Sequence, residues 1–283
     1  MPVDPQKALG AELPPVTGAW APDDVILYHL GVGAGNPPTD PGELAYTYED
    51  GLKVLPTFGV ISAAPALGGM LSIPGLEINW ATLLHGEQDL TIHRPLPTAA
   101  KVVTSGRVAG LYDKGKAALL VLDVDTSEEG GDLLFTNRYS LFLRGEGGFG
   151  GEAGPQPGNI PPERAADFTV DSPTLPQQAL LYRLSGDKNP LHADPAFAKL
   201  GGFDQPILHG LCTYGVICKA VVDGMLDGDV TQVARYEARF AGVVYPGETI
   251  STAAWREGDR ILVQAYVKER DVPVLTNAAI TLR

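Results

Sequence analysis

The chain has 283 residues, 44% of them apolar and 19% charged, with a net charge of −13. That length and apolar share allow one large or two smaller cores. The acidity excludes nucleic acid as a partner, because neutralising phosphate needs clustered Lys and Arg.

The N-terminal stretch MPVDPQKALGAELPP has no basic segment followed by an apolar one, so no signal peptide is expected there. No apolar run reaches the ~18 residues of a membrane span. The closing residues AAITLR are not a peroxisomal address, and a cytoplasmic location with no membrane partner is the expectation.

Residues 26–41, ILYHLGVGAGNPPTDP, introduce an Asn-Pro loop, and TFGVI follows at 57–61. AKVVTSGRVAG, KAALLVLDVDT and LFTNRYSLFLR then alternate as strands do. Residues 145–162, GEGGFGGEAGPQPGNIPP, are rich in Gly and Pro and read as a linker between halves 1–144 and 163–283. Beyond it the same plan returns. LLYRLSGDKNPLHADP (180–195) matches 26–41, TYGVI (213–217) matches 57–61, and LTNAAITLR (275–283) matches FTNRYSLFLR (135–144). Three matches in the same order indicate a duplicated chain.

The clearest helix is expected from about Pro206 to Leu226. It is apolar nearly all round and should be buried. Cys212 and Cys218 lie in it and are expected as free thiols in a reducing compartment. TISTAAW, RILVQAYVK and VLTNAAITL are the strands that follow. Short loops between them imply antiparallel pairing. The plan predicts an α+β protein in which a buried helix with a sheet curled round it occurs twice.

Residues 182–215, YRLSGDKNPLHADPAFAKLGGFDQPILHGLCTYG, carry the chemistry. Asp187 and His192 flank Lys-Asn-Pro-Leu, which favours a bent loop. Carboxylate and imidazole together make a general acid/base couple. Alone, this spacing equally fits a turn stabilised by Asp187 beside a surface histidine. Gly210, near the helix start, is suited to exposing an N–H to an oxyanion, or merely to close packing. In the first half Asp187 falls opposite Gly33 or Ala34, His192 opposite Thr39 and Gly210 opposite Val54. Asn36-Pro37 and the scaffold remain there while all three features are gone. One half therefore reads as catalytic.

This segment resembles the hydratase 2 motif of the MaoC-like dehydratase family. The similarity is to its (R)-specific 2-enoyl-CoA hydratase 2 branch, which includes the hydratase unit of peroxisomal multifunctional enzyme type 2 and stand-alone actinobacterial forms. It extends through HGEQDLTIHRPLP (85–97), GLYDKGKAALLVLDV (110–124) and RFAGVVYPGET (239–249). The resemblance implies a double hot-dog fold, a homodimer and an acyl-CoA thioester substrate. It places the catalytic acid/base pair on Asp187 and His192, the oxyanion amide on Gly210, and Asn189 in the same loop. Coenzyme A contacts fall on His85, Gly86, Lys114 and Phe240, with Lys188 bordering the site and Arg183, Arg235 and Arg239 as further cations. Coenzyme A is part of the substrate, and no separate cofactor is implied. The degenerate first half would make room for the acyl chain, fatty or steroid. A metal site of His192, His209, Cys212 and Cys218 lacks zinc spacing. His29 is expected at the periphery, His93 at a strand end before Pro95, and His209 in a structural role. A hot-dog thioesterase and a non-catalytic acyl-CoA binding protein are the competing readings.

Overall fold

The computed structural model describes residues 3–77, 83–156 and 158–283. The first half runs α1 (Pro5–Ala8), β1 (Glu12–Trp20), α2 (Pro22–Gly31), α3 (Pro41–Thr47) and α4 (Gly59–Ala63). It continues with β2 (Leu83–Ile92), β3 (Ala100–Asp113), β4 (Ala117–Glu128) and β5 (Leu133–Arg144). The second half runs β6 (Phe168–Pro173), α5 (Gln178–Tyr182), α6 (Pro195–Leu200) and α7 (Gly210–Met225). It ends with β7 (Val233–Phe240), β8 (Thr249–Glu257), β9 (Arg260–Val267) and β10 (Val272–Leu282). No helix among the described residues is long and apolar enough to cross a membrane.

Each half folds five strands into an antiparallel sheet with the same internal order. That order is β1-β3-β4-β5-β2 in the first and β6-β8-β9-β10-β7 in the second. The halves meet where β2 pairs with β7, so the two sheets form one of ten strands. The three short sequence matches thus belong to a repeat of the whole topology.

Three features differ from expectation. First, each half carries a strand, β1 or β6, ahead of its Asn-Pro loop. Both lie at the outer edges of the sheet. Edge strands tolerate proline, and β1 carries Pro14 and Pro15 at a register shift that hides its alternation. Second, α7 begins at Gly210 and not at Pro206. Residues 206–209 are extended and tied like a strand, with the Leu208 N–H on the Val244 carbonyl at 2.8 Å. Third, the first-half counterpart of α7 is broken into a 3-10 turn at Pro56–Phe58, α4, and a 3-10 stretch at Ala64–Ser72. Pro65 lacks an N–H and crowds the carbonyl four residues back, which stops an α-helix at this point.

α7 buries ten residues, among them Cys212, Tyr214, Ile217, Cys218 and Val221. Gly215 lets α2 approach, since a Cβ there would lie 2.6 Å from the Tyr28 hydroxyl and from Val32. A polar seam joins the halves. The Lys219 ammonium lies 2.6 Å from Glu43 and 2.8 Å from Asp223, and the Tyr46 hydroxyl donates to Asp223 at 2.7 Å. His29 is fully buried beside this seam, which corrects its peripheral placement. Its Nδ1–H donates to the Tyr46 carbonyl at 2.7 Å, and its Nε2 accepts the Leu55 N–H at 3.1 Å. The partners that bury it come from residues 17 and 26 positions away, beyond the reach of local pattern.

Candidate active site

The loop that carries Asp187 and His192 is built by backbone turns. α5 runs into a 3-10 turn at Arg183–Ser185 that ends at Gly186 with φ 140°, a conformation side chains disfavour. The chain then turns so that Asp187 and Asn189 brace it. Asp187 Oδ1 accepts the Asn189 N–H at 3.0 Å, and Asn189 Oδ1 accepts the Leu191 N–H at 3.0 Å. Asn189 thereby caps the 3-10 turn Pro190–His192, so its visible work is to shape the loop. Asp187 itself is exposed.

His192 is buried, at 8% exposure. Its Nδ1–H donates to the Ile207 carbonyl at 2.8 Å, which leaves the Nε2 lone pair free. Burial pulls its pKa below 6.5, against the opposing influence of Ile207 and Asp187. A ring nitrogen of His192, one of His209 and a carboxylate oxygen of Asp187 all lie within 4.8 Å of one another. No direct side-chain hydrogen bond joins Asp187 to His192 among the described residues. Two hydrogen bonds of about 2.8 Å meeting at a tetrahedral angle span about 4.6 Å, which is within that 4.8 Å limit.

Gly210 is the first residue of α7 and is exposed. Among the described residues no group accepts its N–H, so a helix-terminal donor with partial positive charge is open beside the pair. Phe240 walls this spot, 3.4 Å from where a Gly210 Cβ would stand, and the His85 ring packs edge-on against Phe240 at 5.0 Å. Burial pushes the pKa of His85 down to about 4, while the nearby Asp187 charge pulls the other way. Gly86 follows at a β-bulge under the Phe142 ring, where a Cβ would come within 2.6 Å. His85, Gly86, Phe240 and Gly210 are thus contiguous with the pair.

The cations divide. Lys188 is exposed beside Asp187, and Arg183 donates to the Lys188 carbonyl at 3.3 Å. Lys114 stands apart in the β3–β4 turn, where Asp113 accepts the Gly115, Gly148 and Gly150 N–H groups. Arg235 is committed to a bidentate pair with Asp89 at 2.8 and 2.6 Å, and Arg239 lies 3.4 Å from Glu87. His93 follows the end of β2, exposed, with Nε2 3.0 Å from the Thr136 hydroxyl.

His209 is the residue that pattern reading undervalued. It stands inside the site, its ring stacked on His192 with centroids 3.7 Å apart and planes 26° apart. The side chains of Asp187, His192 and His209 are chemically able to hold a metal ion. Stacked imidazoles aim their in-plane lone pairs side by side, whereas tetrahedral zinc needs them to converge at about 2.0–2.1 Å. Cys212, grouped with these histidines on sequence grounds, instead turns inward and donates to the Gly31 carbonyl at 3.3 Å. The signal for His209 was its place beside Gly210, since a residue capping the helix faces the same space.

Two five-stranded antiparallel sheets joined edge to edge, with a long helix in only one half among the described residues, define a double hot-dog protein. Residues 19–145 match the family described as MFE-2 hydratase 2 N-terminal domain, and residues 158–278 match the MaoC like domain. Enoyl-CoA hydratase ChsH3 of Mycobacterium tuberculosis is 48% identical over 277 residues, which cover 97% of each chain. Enoyl-CoA hydratase 2, peroxisomal, of Arabidopsis thaliana is 44% identical over 94% of this chain and 92% of its own. The crystal structure of a MaoC-like dehydratase from Phytophthora capsici superposes with a TM-score of 0.88 at 32% identity, covering 99% of this chain and 98% of that one. The chain belongs to the hydratase 2 family of MaoC-like proteins.

Proposed function

We propose that this protein is an (R)-specific enoyl-CoA hydratase that adds water reversibly to trans-2-enoyl-CoA, giving (3R)-3-hydroxyacyl-CoA. The observation that carries the reading is that Asp187 and His192 come within 4.8 Å of each other, near the open N–H of Gly210. Relatives named enoyl-CoA hydratase support the substrate class.

In this reading the thioester oxygen accepts the Gly210 N–H, which draws electrons from the conjugated double bond and makes C3 electrophilic. Water held by Asp187 and His192 adds its oxygen to C3. The pair removes one proton from that water and returns one to C2, both on the same face. Neutral His192, with Nδ1–H fixed on Ile207, presents Nε2 as a proton acceptor. His85, Gly86 and Phe240 flank the thioester, and Lys114 and Lys188 meet the phosphates of coenzyme A.

The acyl chain would enter the first half. A cavity of about 200 Å³ lies there between Trp20, Leu27, Phe58, Ile61 and Pro65, with Leu184 of the catalytic loop at its rim. The reading brings with it fatty acid or steroid side-chain β-oxidation, a homodimer and a cytoplasmic location.

The test is a hydration assay across short, medium and steroid-derived enoyl-CoAs, with chiral analysis of the product. Loss of enoyl absorbance without thiol release is the expected result. Release of free thiol would instead indicate a thioesterase, and tight binding without turnover a carrier.

A further inference from the structure

Among the buried titratable groups, one touches both members of the acid/base pair without a step assigned to it. The His209 ring packs against the Tyr182 ring at 4.9 Å and the His192 ring at 3.7 Å. Its Nε2–H points to the backbone carbonyl of Asp187 at 3.3 Å. Its own carbonyl accepts the N–H groups of Cys212 and Thr213, each at 3.1 Å, so the first turn of α7 anchors its backbone.

We propose that His209 is the positioning residue of the acid/base pair. Its ring orients the His192 imidazole by stacking, and its Nε2–H holds the Asp187 loop by the backbone carbonyl. Both groups are thereby fixed to the helix end that presents Gly210, the next residue. This inference rests on the hydratase reading above.

Two observations set it apart from plain core packing. His209 Nδ1 is buried with no hydrogen-bond partner. Such an orphan costs free energy, and a phenyl ring would stack on His192 without it. Stacking alone therefore does not account for a histidine here, whereas the donor to Asp187 does. The second observation comes from the repeat. Where Gly210 falls opposite Val54, His209 falls opposite Lys53. Lys53 sends its ammonium to the Gly228 carbonyl at 2.9 Å. The fold thus accepts a quite different side chain at this place when no catalytic pair has to be held.

The experiment compares His209→Phe, which keeps the stack, His209→Gln, which keeps a donor, and His209→Ala, which keeps neither. Melting temperature, kcat, KM and the ¹⁵N spectrum of the histidines are measured for each. A misplaced acid/base group costs on the order of 10²-fold in rate. The expected result is that His209→Ala loses about that factor in kcat with KM within about threefold. His209→Phe and His209→Gln should each recover part of the loss. His192, a single Nδ1–H tautomer in the parent, should show mixed tautomers in His209→Ala. A kcat for His209→Ala within about threefold of the parent overturns the proposal. So does a drop in melting temperature that accompanies equal losses in all three variants, with the His192 tautomer unchanged. Should the parent hydrate no enoyl-CoA, the hydratase reading fails, while the tautomer readout still decides the role of His209.

Discussion

The two halves share a strand order and a pair of tyrosines, Tyr28 and Tyr182, whose rings face each other at 6.0 Å. They part company at two places. After Tyr182 the chain turns at Gly186 to set Asp187 and His192 beside a sixteen-residue helix. After Tyr28 the matching loop carries neither group, and the helix that should follow is broken at Pro65. A continuous helix gives an ordered N-terminus with an open amide at Gly210. A broken one leaves space, and the cavity beside Phe58, Ile61 and Pro65 occupies it. The same core position cannot supply both, so duplication lets one copy keep the helix end while the other gives up its own.

The largest effect should separate the halves outright. Asp187→Ala and His192→Ala are each expected to lose about 10²–10⁴-fold in kcat with unchanged melting. Thr39→Ala, opposite His192 in the repeat, should stay within about twofold in steady-state kinetics. Equal losses at Thr39 would break the assignment of one site to one half.

Next in size is the seam. Lys219 is largely buried between Glu43 of the first half and Asp223 of the second. Lys219→Met leaves two carboxylates without their cation and should cost about 3 kcal/mol in chemical denaturation. The kcat of the folded fraction should be unchanged, because the seam contacts no residue of the acid/base pair.

A third prediction uses the buried histidine of the first half. Burial pushes the His29 pKa down from 6.5 to about 4. Between those values the unfolded chain binds a proton that the folded chain refuses. Stability should therefore fall as pH drops through the window and be insensitive above it. By pH 5 the His29 share is about 2 kcal/mol. Melting curves of the parent against His29→Gln across pH 4.5–7 should show a flatter slope in the variant. In the second half the lowered pKa of His192 predicts that the acid limb of kcat/KM lies below pH 6.5.

The smallest effect concerns coenzyme binding. Lys114→Ala is expected to raise KM about three- to tenfold with kcat unchanged. Arg235→Ala should leave KM alone, because Asp89 already holds that guanidinium bidentately.

Much of this was legible in the chain itself. The alternating strands and the repeated plan follow from local periodicity, which covalent geometry ties to secondary structure. Asp187 and His192 stand out in the chain as a candidate pair because turn-forming Asn189 and Pro190 lie between them, and because the first half lacks both groups. Edge strand β1 escaped because two prolines interrupt its alternation. Pattern also put the start of α7 four residues early, at Pro206, since Ile207 and Leu208 are as apolar as a helix would need.

Tertiary structure alone decided the rest. It placed His29 in the core, committed Arg235 to Asp89, joined β2 to β7 and stacked His209 on His192. Each of these contacts joins residues from 17 to 152 positions apart. A side chain's period tells which way it faces on its own element, but what it meets depends on how the elements pack. The sequence determined the carboxylate and imidazole that make a candidate acid/base pair; packing determined that the His209 ring stacks on one of them.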